Sequence, residues 1–373
     1  MNNNSIPKSG TRDGFLDSWR GIFHIVLLMD HLPVFFPGVF IFLSVIYSPF
    51  GFFSVAEGFV FLSGFVSALV YTRVGREQGQ RAVWRKALAR ARNIYLCYVV
   101  ATVALLTLAK CINVGALEWG AWADLVDQSL PMASAKVITL LYQPTFLEIL
   151  PMYALFLLFM PIMLNQLERR NYLLVGLISF LTWGAAQYGL RIELIRLFPS
   201  SLDIHFGFFN SFAWQILFFS GLICGHKTYT SHSRWLPTGW TLPVLACVLA
   251  LAFFSFRHDL WGIHLNKRWV GRSNLGPLRL LNIACLIFLV CKVRRQTEKY
   301  IAWKGFAFLS KHSLQVFAFH LFPLYVLGIV FGARMSVPIW EQVIAMGFGI
   351  LGLFQIAFIS QLVKARLVKF TKR

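Results

Sequence analysis

Residues 15–35 read FLDSWRGIFHIVLLMDHLPVF, and this stretch decides the fold class because it is long, apolar and yet carries ionisable groups. Arg20 and His31 are eleven residues apart in it. At about 100° per residue, eleven residues return to within about 20° of the starting face, about 16 Å further along a helix. A cation and an imidazole therefore point the same way at different depths. Such groups are expensive inside a membrane and are usually functional there.

Repeated apolar runs give the whole chain the composition of a membrane protein. It has 373 residues, of which 57% are hydrophobic and only 13% charged, and its mean hydropathy is +0.64. A run of about 20 apolar residues crosses a hydrocarbon core of about 30 Å. We therefore predict an all-α polytopic integral membrane protein with about ten transmembrane helices, at 15–35, 54–74, 93–113, 146–166, 171–190, 211–227, 238–256, 277–293, 313–333 and 338–362. Pro and Gly break the run 36–53, which indicates an interfacial or re-entrant loop.

The net charge of +20 is distributed as expected for orientation in a membrane. If the N-terminus is cytoplasmic, most of the 35 Lys and Arg fall in the two tails and in loops 73–92, 167–170, 226–237 and 292–312. This positive-inside asymmetry places both termini in the cytoplasm. Basic loops also attract anionic lipids, and no recognition module accompanies them, so we expect membrane lipids and no nucleic acid as partners. We predict one membrane-embedded domain, 1–373, with a polar cytoplasmic tail at 1–14 and a basic one at 363–373.

Several function classes lack their sequence signatures. The six cysteines are scattered through predicted helices without the spacing of a zinc site, so we predict packing roles for them and no metal. No phosphate-binding loop with a Gly-Lys-Ser/Thr ending is present, which argues against an ATP-driven pump. No internal repeat of the kind found in many transporters is recognisable. The first apolar segment is interrupted by charges and lacks a small-residue cleavage site, so no cleavable signal peptide is expected.

Acidic and basic groups gather on the first two predicted helices. Asp30 is adjacent to His31, so their side chains diverge by about 100° and the aspartate is not automatically the imidazole's partner. The second helix presents Glu57 on the same face as Gly64, a residue that permits close backbone approach. A carboxylate from a neighbouring helix would fix the tautomer of His31 and raise its basicity. The alternative is that these charges only hold helices together, but their number favours a functional site.

Six short motifs extend these observations over the chain and resemble one family. They are DSWRG (17–21), DHLP (30–33), AEGFVFLSG (56–64), LEILPMY (147–153), FAWQ (212–215) and KHSLQVF (311–317). Together they are similar to the OpgC branch of the acyltransferase-3 membrane proteins, which resemble succinyltransferases of osmoregulated periplasmic glucans. Arg20 and His31 match the R-x10-H signature of that superfamily. The resemblance implies a multi-pass protein of the bacterial inner membrane, with succinyl-CoA or another acyl-CoA as cytoplasmic donor, periplasmic glucan as acceptor and no permanently bound cofactor.

The resemblance also implies which residues bind the acyl donor. Arg20 at the inner mouth would hold donor phosphates while the thioester reaches His31. Arginine suits this role because its planar fork donates two parallel charge-assisted hydrogen bonds. Further candidates for donor contact are Arg85, Arg90, Arg92 and His312. For the three loop arginines, the alternative is a role in topology alone.

For the reaction itself, we expect His31 to remove a proton from a glucan hydroxyl as that hydroxyl attacks the thioester. Glu57 or Asp30 would orient the imidazole and stabilise its protonated form. Ser63 is a candidate donor to the tetrahedral oxyanion. Whether an acyl-histidine forms transiently is open.

Candidates for the acceptor side are Glu148, Trp214, Gln215 and His320. Trp rings suit sugar faces and Gln both donates to and accepts from hydroxyls, although Trp also occurs in interfacial belts. His320 would line the pore or bond a neighbouring carbonyl. A succinyl carboxylate would need a cation, for which the candidates on the outer side are Arg191, Arg196, Arg257, Lys267, Arg268 and Arg272.

Two other functions are left open by the sequence. The first is transfer of an acetyl or other acyl group to a different envelope polysaccharide. The second, less favoured because no repeat is present, is transport of an acyl donor or a glycan. The sequence does not indicate an oligomeric state.

Overall fold

The computed structural model describes most of the chain. The described residues are 13–35, 50–112, 123–202, 204–231, 237, 239–331 and 338–371. Within these ranges the regular structure is helical, and one isolated bridge joins Tyr142 to His205. The all-α prediction is therefore confirmed for the described part of the chain. Residues 36–49 of the predicted re-entrant loop lie outside it.

Helices occur at all ten of the predicted apolar runs, and several short helices lie between them. In chain order they are α1 (Gly14–Phe35), α2 (Val55–Gln78), α3 (Gln80–Ile112), α4 (Ala123–Val126), α5 (Leu130–Ile138), α6 (Ile149–Glu168), α7 (Tyr172–Gln187), α8 (Leu190–Arg196), α9 (Ser211–Ser231), α10 (Thr241–Arg257), α11 (Lys267–Val270), α12 (Pro277–Ile301), α13 (Lys304–Lys311), α14 (Ser313–Phe319), α15 (Leu321–Phe331) and α16 (Ile339–Thr371). Pro277 opens α12, where its missing N–H is not needed. Gly189, with φ +90°, separates α7 from α8.

Four of these helices are long and apolar enough to cross a membrane by themselves. They are Val55–Gln78, Gln80–Cys111, Ile149–Glu168 and Ile339–Arg366. A fifth span results if Tyr172–Gln187 and Leu190–Arg196 count as one helix bent by 70°. The described residues thus have the helices of a membrane protein. The number of ten spans and the cytoplasmic side of both termini stay predictions.

The chain divides into two compact units, each with its own packed interior. The first takes in the described residues of Ser48–Leu96 and Ile138–Arg295, and the second those of Thr11–Tyr47, Cys97–Val137 and Gln296–Arg373. Two unit boundaries fall inside the long helices α3 and α12. Residues 363–371 of the predicted basic tail continue α16 as helix.

Glycines allow two helices of the first unit to approach closely. A Cβ on Gly64 of α2 would overlap the carbonyl oxygen of Phe218 on α9. Conversely, a Cβ on Gly221 of α9 would overlap the carbonyl oxygen of Phe61. The close approach predicted at Gly64 is confirmed, and it fixes the position of α2, the helix that begins beside Glu57.

The second unit is built around α1. A Cβ on Gly21 would overlap the carbonyl oxygen of Phe306 on α13, so the two backbones are in contact there. Leu28, which is completely buried, lies against Gly349 of α16. Helix α1 therefore packs against α13 on one side and α16 on another.

Candidate active site

A series of polar contacts runs along α1 in the second unit, and we call it the polar ladder. Its three pairs, each with 2.8 Å between the bonded atoms, are Asp17 with Ser310, His24 with Ser313, and His31 with His320. The α1 members are seven residues apart, which is about two helical turns, so they lie on one face. All three are buried. A line of ionisable groups therefore passes through the apolar interior of this unit.

The His31–His320 pair is the last of the three pairs of the ladder in the direction of the chain along α1. Nδ1 of His31 lies 2.8 Å from Nε2 of His320, and the ring centroids are 4.9 Å apart. The other ring nitrogen of His320, Nδ1, is hydrogen-bonded to the carbonyl oxygen of Phe317. His320 lies in the break between α14 and α15. Of the two alternatives given for His320, the bond to a neighbouring carbonyl is present, and a role in lining the pore or contacting the acceptor stays a prediction.

The remaining candidates of the second unit occupy other positions. Arg20 and Asp30 are half-buried on α1, and both make polar interactions. His312, between α13 and α14, is buried, and its Nδ1 lies 3.0 Å from Oγ of Ser360 on α16. A role for Arg20 and His312 in donor binding, and for Asp30 in orienting His31, stays a prediction.

Glu57 belongs to the first unit, where it is completely buried and paired with a cation. Its Oε1 accepts a hydrogen bond from Nε of Arg279 over 2.6 Å. Its Oε2 accepts from the backbone N–H of Ser54 over 2.8 Å and also from the Ser54 hydroxyl. Arg279 is 7% exposed, so this ion pair is shielded from solvent. The pairing balances the charge of Glu57 within its own unit, while the predicted role toward His31 stays untested.

Glu148 directly precedes α6 and is also buried, with 2% exposure. It packs against Gly207, whose φ is +25°, and a Cβ on that glycine would overlap the Glu148 side chain. Among the described residues, none donates a hydrogen bond to its Oε2. A buried carboxylate oxygen with no donor is costly, so this atom is suited to receive a proton or a donor from a ligand.

Trp214 and Gln215 use their polar atoms to hold other parts of the first unit together. The indole N–H of Trp214 points to the carbonyl oxygens of Arg272 and Ser273, over 3.1 and 3.0 Å, and the side chain is completely buried. The Gln215 amide donates to the Ser179 carbonyl and accepts from its hydroxyl, each over 2.7 Å. This geometry explains both residues by packing alone, and their contact with a sugar stays a prediction.

The other first-unit candidates lie on α2 and α3. Ser63 is half-buried on α2. Arg85 and Arg92 are exposed on α3, and because they are seven residues apart they share one face of that helix. Arg90 is half-buried. Two exposed guanidinium groups on one helix face suit a phosphate-bearing ligand.

Most of the cations predicted for a succinyl carboxylate have neighbours of their own. Arg191 donates to the carbonyl oxygens of Gly207 and Phe209, and Arg196 pairs with Glu193 over 2.6 Å. The guanidinium groups of Arg268 and Arg272 lie over the rings of Tyr188 and Phe209. Arg257 and Lys267 are exposed.

Three partners were missed by the sequence interpretation. Arg279 is not among the predicted site residues, although its place two residues into the predicted span 277–293 is a signal that it is buried. Ser310 precedes the KHS motif and Ser313 is its last residue, but neither carries a charge that would mark it. Their roles become visible only when α1 and α13–α14 are seen side by side.

These features define the class of the protein: a helical membrane protein with buried ionisable groups in both of its units. Among the described residues, no cluster of three or more His, Cys, Asp or Glu side chains is arranged to hold a metal ion.

The family follows from comparison with known proteins. A family model described as OpgC protein matches residues 12–365, which is nearly the whole chain, so the protein belongs to the OpgC family. Membership indicates an acyltransferase-like function on glucan. Neither the curated proteins nor the solved structures contain a match.

Proposed function

We propose that this protein is an inner-membrane O-acyltransferase that moves a succinyl group from cytoplasmic succinyl-CoA to hydroxyls of periplasmic glucan, with His31 as general base. The observation that carries the proposal is the buried His31 imidazole, which lies on the same helix as Arg20 and is hydrogen-bonded to the imidazole of His320. The chain that contains it belongs to the OpgC family. Burying two imidazoles among apolar residues is costly, and such groups in membrane helices usually mark a reaction or transport path.

In the proposed reaction, the succinyl group passes directly from the thioester to the glucan, without a covalent acyl-enzyme intermediate. The glucan hydroxyl gives its proton to Nε2 of His31 while its oxygen attacks the thioester carbonyl carbon. The C–S bond then breaks, and its electron pair leaves on the sulfur of coenzyme A. The proton passes from His31 to that sulfur, so the products are a glucan ester, the free thiol and a neutral histidine. Ser63 is the proposed donor to the oxyanion of the tetrahedral intermediate.

In this proposal, the donor extends along α1 from Arg20 to His31. Arg20 and His31 are separated by eleven residues, or about 16 Å at a rise of about 1.5 Å per residue. This offset resembles the length of an extended pantetheine arm. Arg20, assisted by Arg85, Arg90, Arg92 and His312, would hold donor phosphates at the cytoplasmic mouth.

For the acceptor side, the proposed contact residues are Glu148, Trp214 and Gln215. The support is strongest for Glu148, because its buried Oε2 receives no donor from the described residues. A glucan hydroxyl donating to this atom would satisfy it. Asp30 and Glu57 remain the acids proposed to stabilise the protonated form of His31.

The experiment uses the full-length protein in proteoliposomes with succinyl-CoA and purified periplasmic glucan. Mass analysis then measures ester formation. We expect His31→Ala to lower the rate by at least about 10²-fold, the usual contribution of a positioned general base. The matched control is His264→Ala, because the His264 side chain is 83% exposed and is expected to leave the rate unchanged.

Near-normal transfer by the His31→Ala protein would show that His31 is not the general base. Replacing succinyl-CoA by acetyl-CoA tests the acyl group, since faster acetyl transfer would favour the alternative acyltransferase. Movement of donor or glucan across the bilayer without ester formation would contradict the enzyme and support a transporter.

A further inference from the structure

We infer that His320 is a positioning residue that fixes the proton arrangement of His31, so that the basic nitrogen of His31 is Nε2. The inference rests on the proposed function, because it specifies how the proposed base is prepared. Its ground is the hydrogen-bonded series from Phe317 through His320 to His31.

The first step concerns the bond between His320 and Phe317. The carbonyl oxygen of Phe317 has no hydrogen to give, so His320 must donate from Nδ1. A neutral imidazole carries one N–H, and its other nitrogen is an acceptor. Nε2 of neutral His320 is therefore an acceptor that faces His31.

The second step applies the same rule to His31. Nδ1 of His31 lies 2.8 Å from Nε2 of His320, so Nδ1 must carry the hydrogen of this bond. In neutral His31 the proton is then absent from Nε2, which becomes the basic nitrogen. When Nε2 takes a proton from a hydroxyl, the Nδ1–H bond becomes charge-assisted, which stabilises the imidazolium.

The third step concerns how the pair is kept in place. The other two contacts of the polar ladder join α1 to the two helices that lead to His320, Asp17 to Ser310 on α13 and His24 to Ser313 on α14. Gly21 lets α1 touch the backbone of α13 at Phe306. These contacts fix the register of α1 against the segment that carries His320. The ring of His31 is thus held by groups outside its own helix, as orientation of a base requires.

His320 supplies what a carboxylate was expected to supply. Glu57 is held by Arg279 and Ser54, which satisfy it within the first unit. An imidazole acceptor fixes the tautomer as a carboxylate does, without bringing a further charge into the apolar interior.

The test compares two variants that keep different halves of the His320 ring. Asn places its amide near the position of Nδ1, so His320→Asn retains a donor to Phe317 but has no atom at the position of Nε2. Gln places its amide near the position of Nε2, so His320→Gln retains an acceptor for His31. We expect His320→Asn to lower kcat by about 10²-fold or more with little change in KM for the donor, because a base in the wrong tautomer loses most of its effect. We expect His320→Gln to restore kcat to within about tenfold of the wild type.

Equal kcat for the two variants, at any level, would overturn the inference. A measurement on the unaltered protein keeps it testable even if a variant does not fold. In protein labelled with ¹⁵N-histidine, the His31 signals are identified by their loss in His31→Gln. At a pH where His31 is neutral, we expect Nδ1 to be protonated and Nε2 not. The opposite tautomer would contradict the inference.

The two proposals fail in different ways. If His31→Ala keeps its activity, His31 is not the base, and the tautomer measured by NMR still decides the arrangement of the pair. If His31→Ala is inactive but His320→Asn matches the wild type, only the role of His320 is wrong.

Discussion

The buried carboxylate of Glu57 is balanced by one specific partner, the guanidinium group of Arg279. Breaking such a pair leaves one charge buried alone, which costs about 3–5 kcal/mol, whereas removing both charges is much less costly. We therefore expect Glu57→Gln to lower the free energy of unfolding by about that amount, and the double variant Glu57→Gln/Arg279→Gln to recover much of it. Thermal unfolding of the purified protein in detergent measures the difference.

The matched control for this prediction is the exposed pair of Glu193 and Arg196, whose side chains are 63% and 68% exposed. Glu193→Gln is expected to change the free energy of unfolding by less than about 1 kcal/mol. If Glu57→Gln were as mild as Glu193→Gln, the buried pair would contribute nothing specific. Transfer activity in a folded double variant would further show that Glu57 is dispensable for the chemistry.

The contact between α2 and α9 depends on glycine in both helices. A Cβ on Gly64 would overlap the backbone carbonyl of Phe218. A helix backbone cannot rotate away as a side chain can, so Gly64→Ala forces the two helices apart. Overpacking of this kind costs about 1–3 kcal/mol or more. The control is Gly176→Ala on α7, where a Cβ meets nothing within 4 Å. We expect Gly64→Ala to lower the melting temperature and Gly176→Ala to leave it unchanged or raise it.

The same melting temperature for both glycine variants would contradict the close packing of α2 and α9. Measuring transfer on each variant separates stability from function. Because α2 begins beside Glu57, a displaced helix is expected to reduce activity even where the protein stays folded.

Sequence periodicity and hydropathy were sufficient to locate the helices but not their partners. Each of the ten predicted apolar runs contains helix, since a long apolar run favours helix in any membrane setting. The break at His320 and the 70° bend after Gln187 were not foreseen, because tertiary contacts decide such irregularities. The pairing of side chains between helices could not be predicted from the sequence either. His31 and His320 are 289 residues apart, and Glu57 and Arg279 are 222 apart, so only helix adjacency could identify them.

The whole molecule must present its donor and acceptor sides to different compartments if the proposed transfer is correct. The positive-inside rule assigns residues 73–92, where α2 ends and α3 begins, to the cytoplasm and the residues around Asp259 to the periplasm. Two acidic side chains allow a matched test, since Glu77 is 50% exposed and Asp259 is 49% exposed. The six native cysteines are first replaced by serine, and Glu77→Cys and Asp259→Cys are then introduced singly.

A membrane-impermeant maleimide added to intact spheroplasts is expected to label the Asp259→Cys protein at once and the Glu77→Cys protein only after the membrane is opened. The two sites are equally accessible in the folded chain, so a difference in labelling reports the side of the membrane rather than burial. Labelling of both proteins in intact spheroplasts, or the reverse order, would contradict the orientation. A cytoplasmic thioester and a periplasmic hydroxyl could then no longer reach His31 from the directions that the proposed transfer requires.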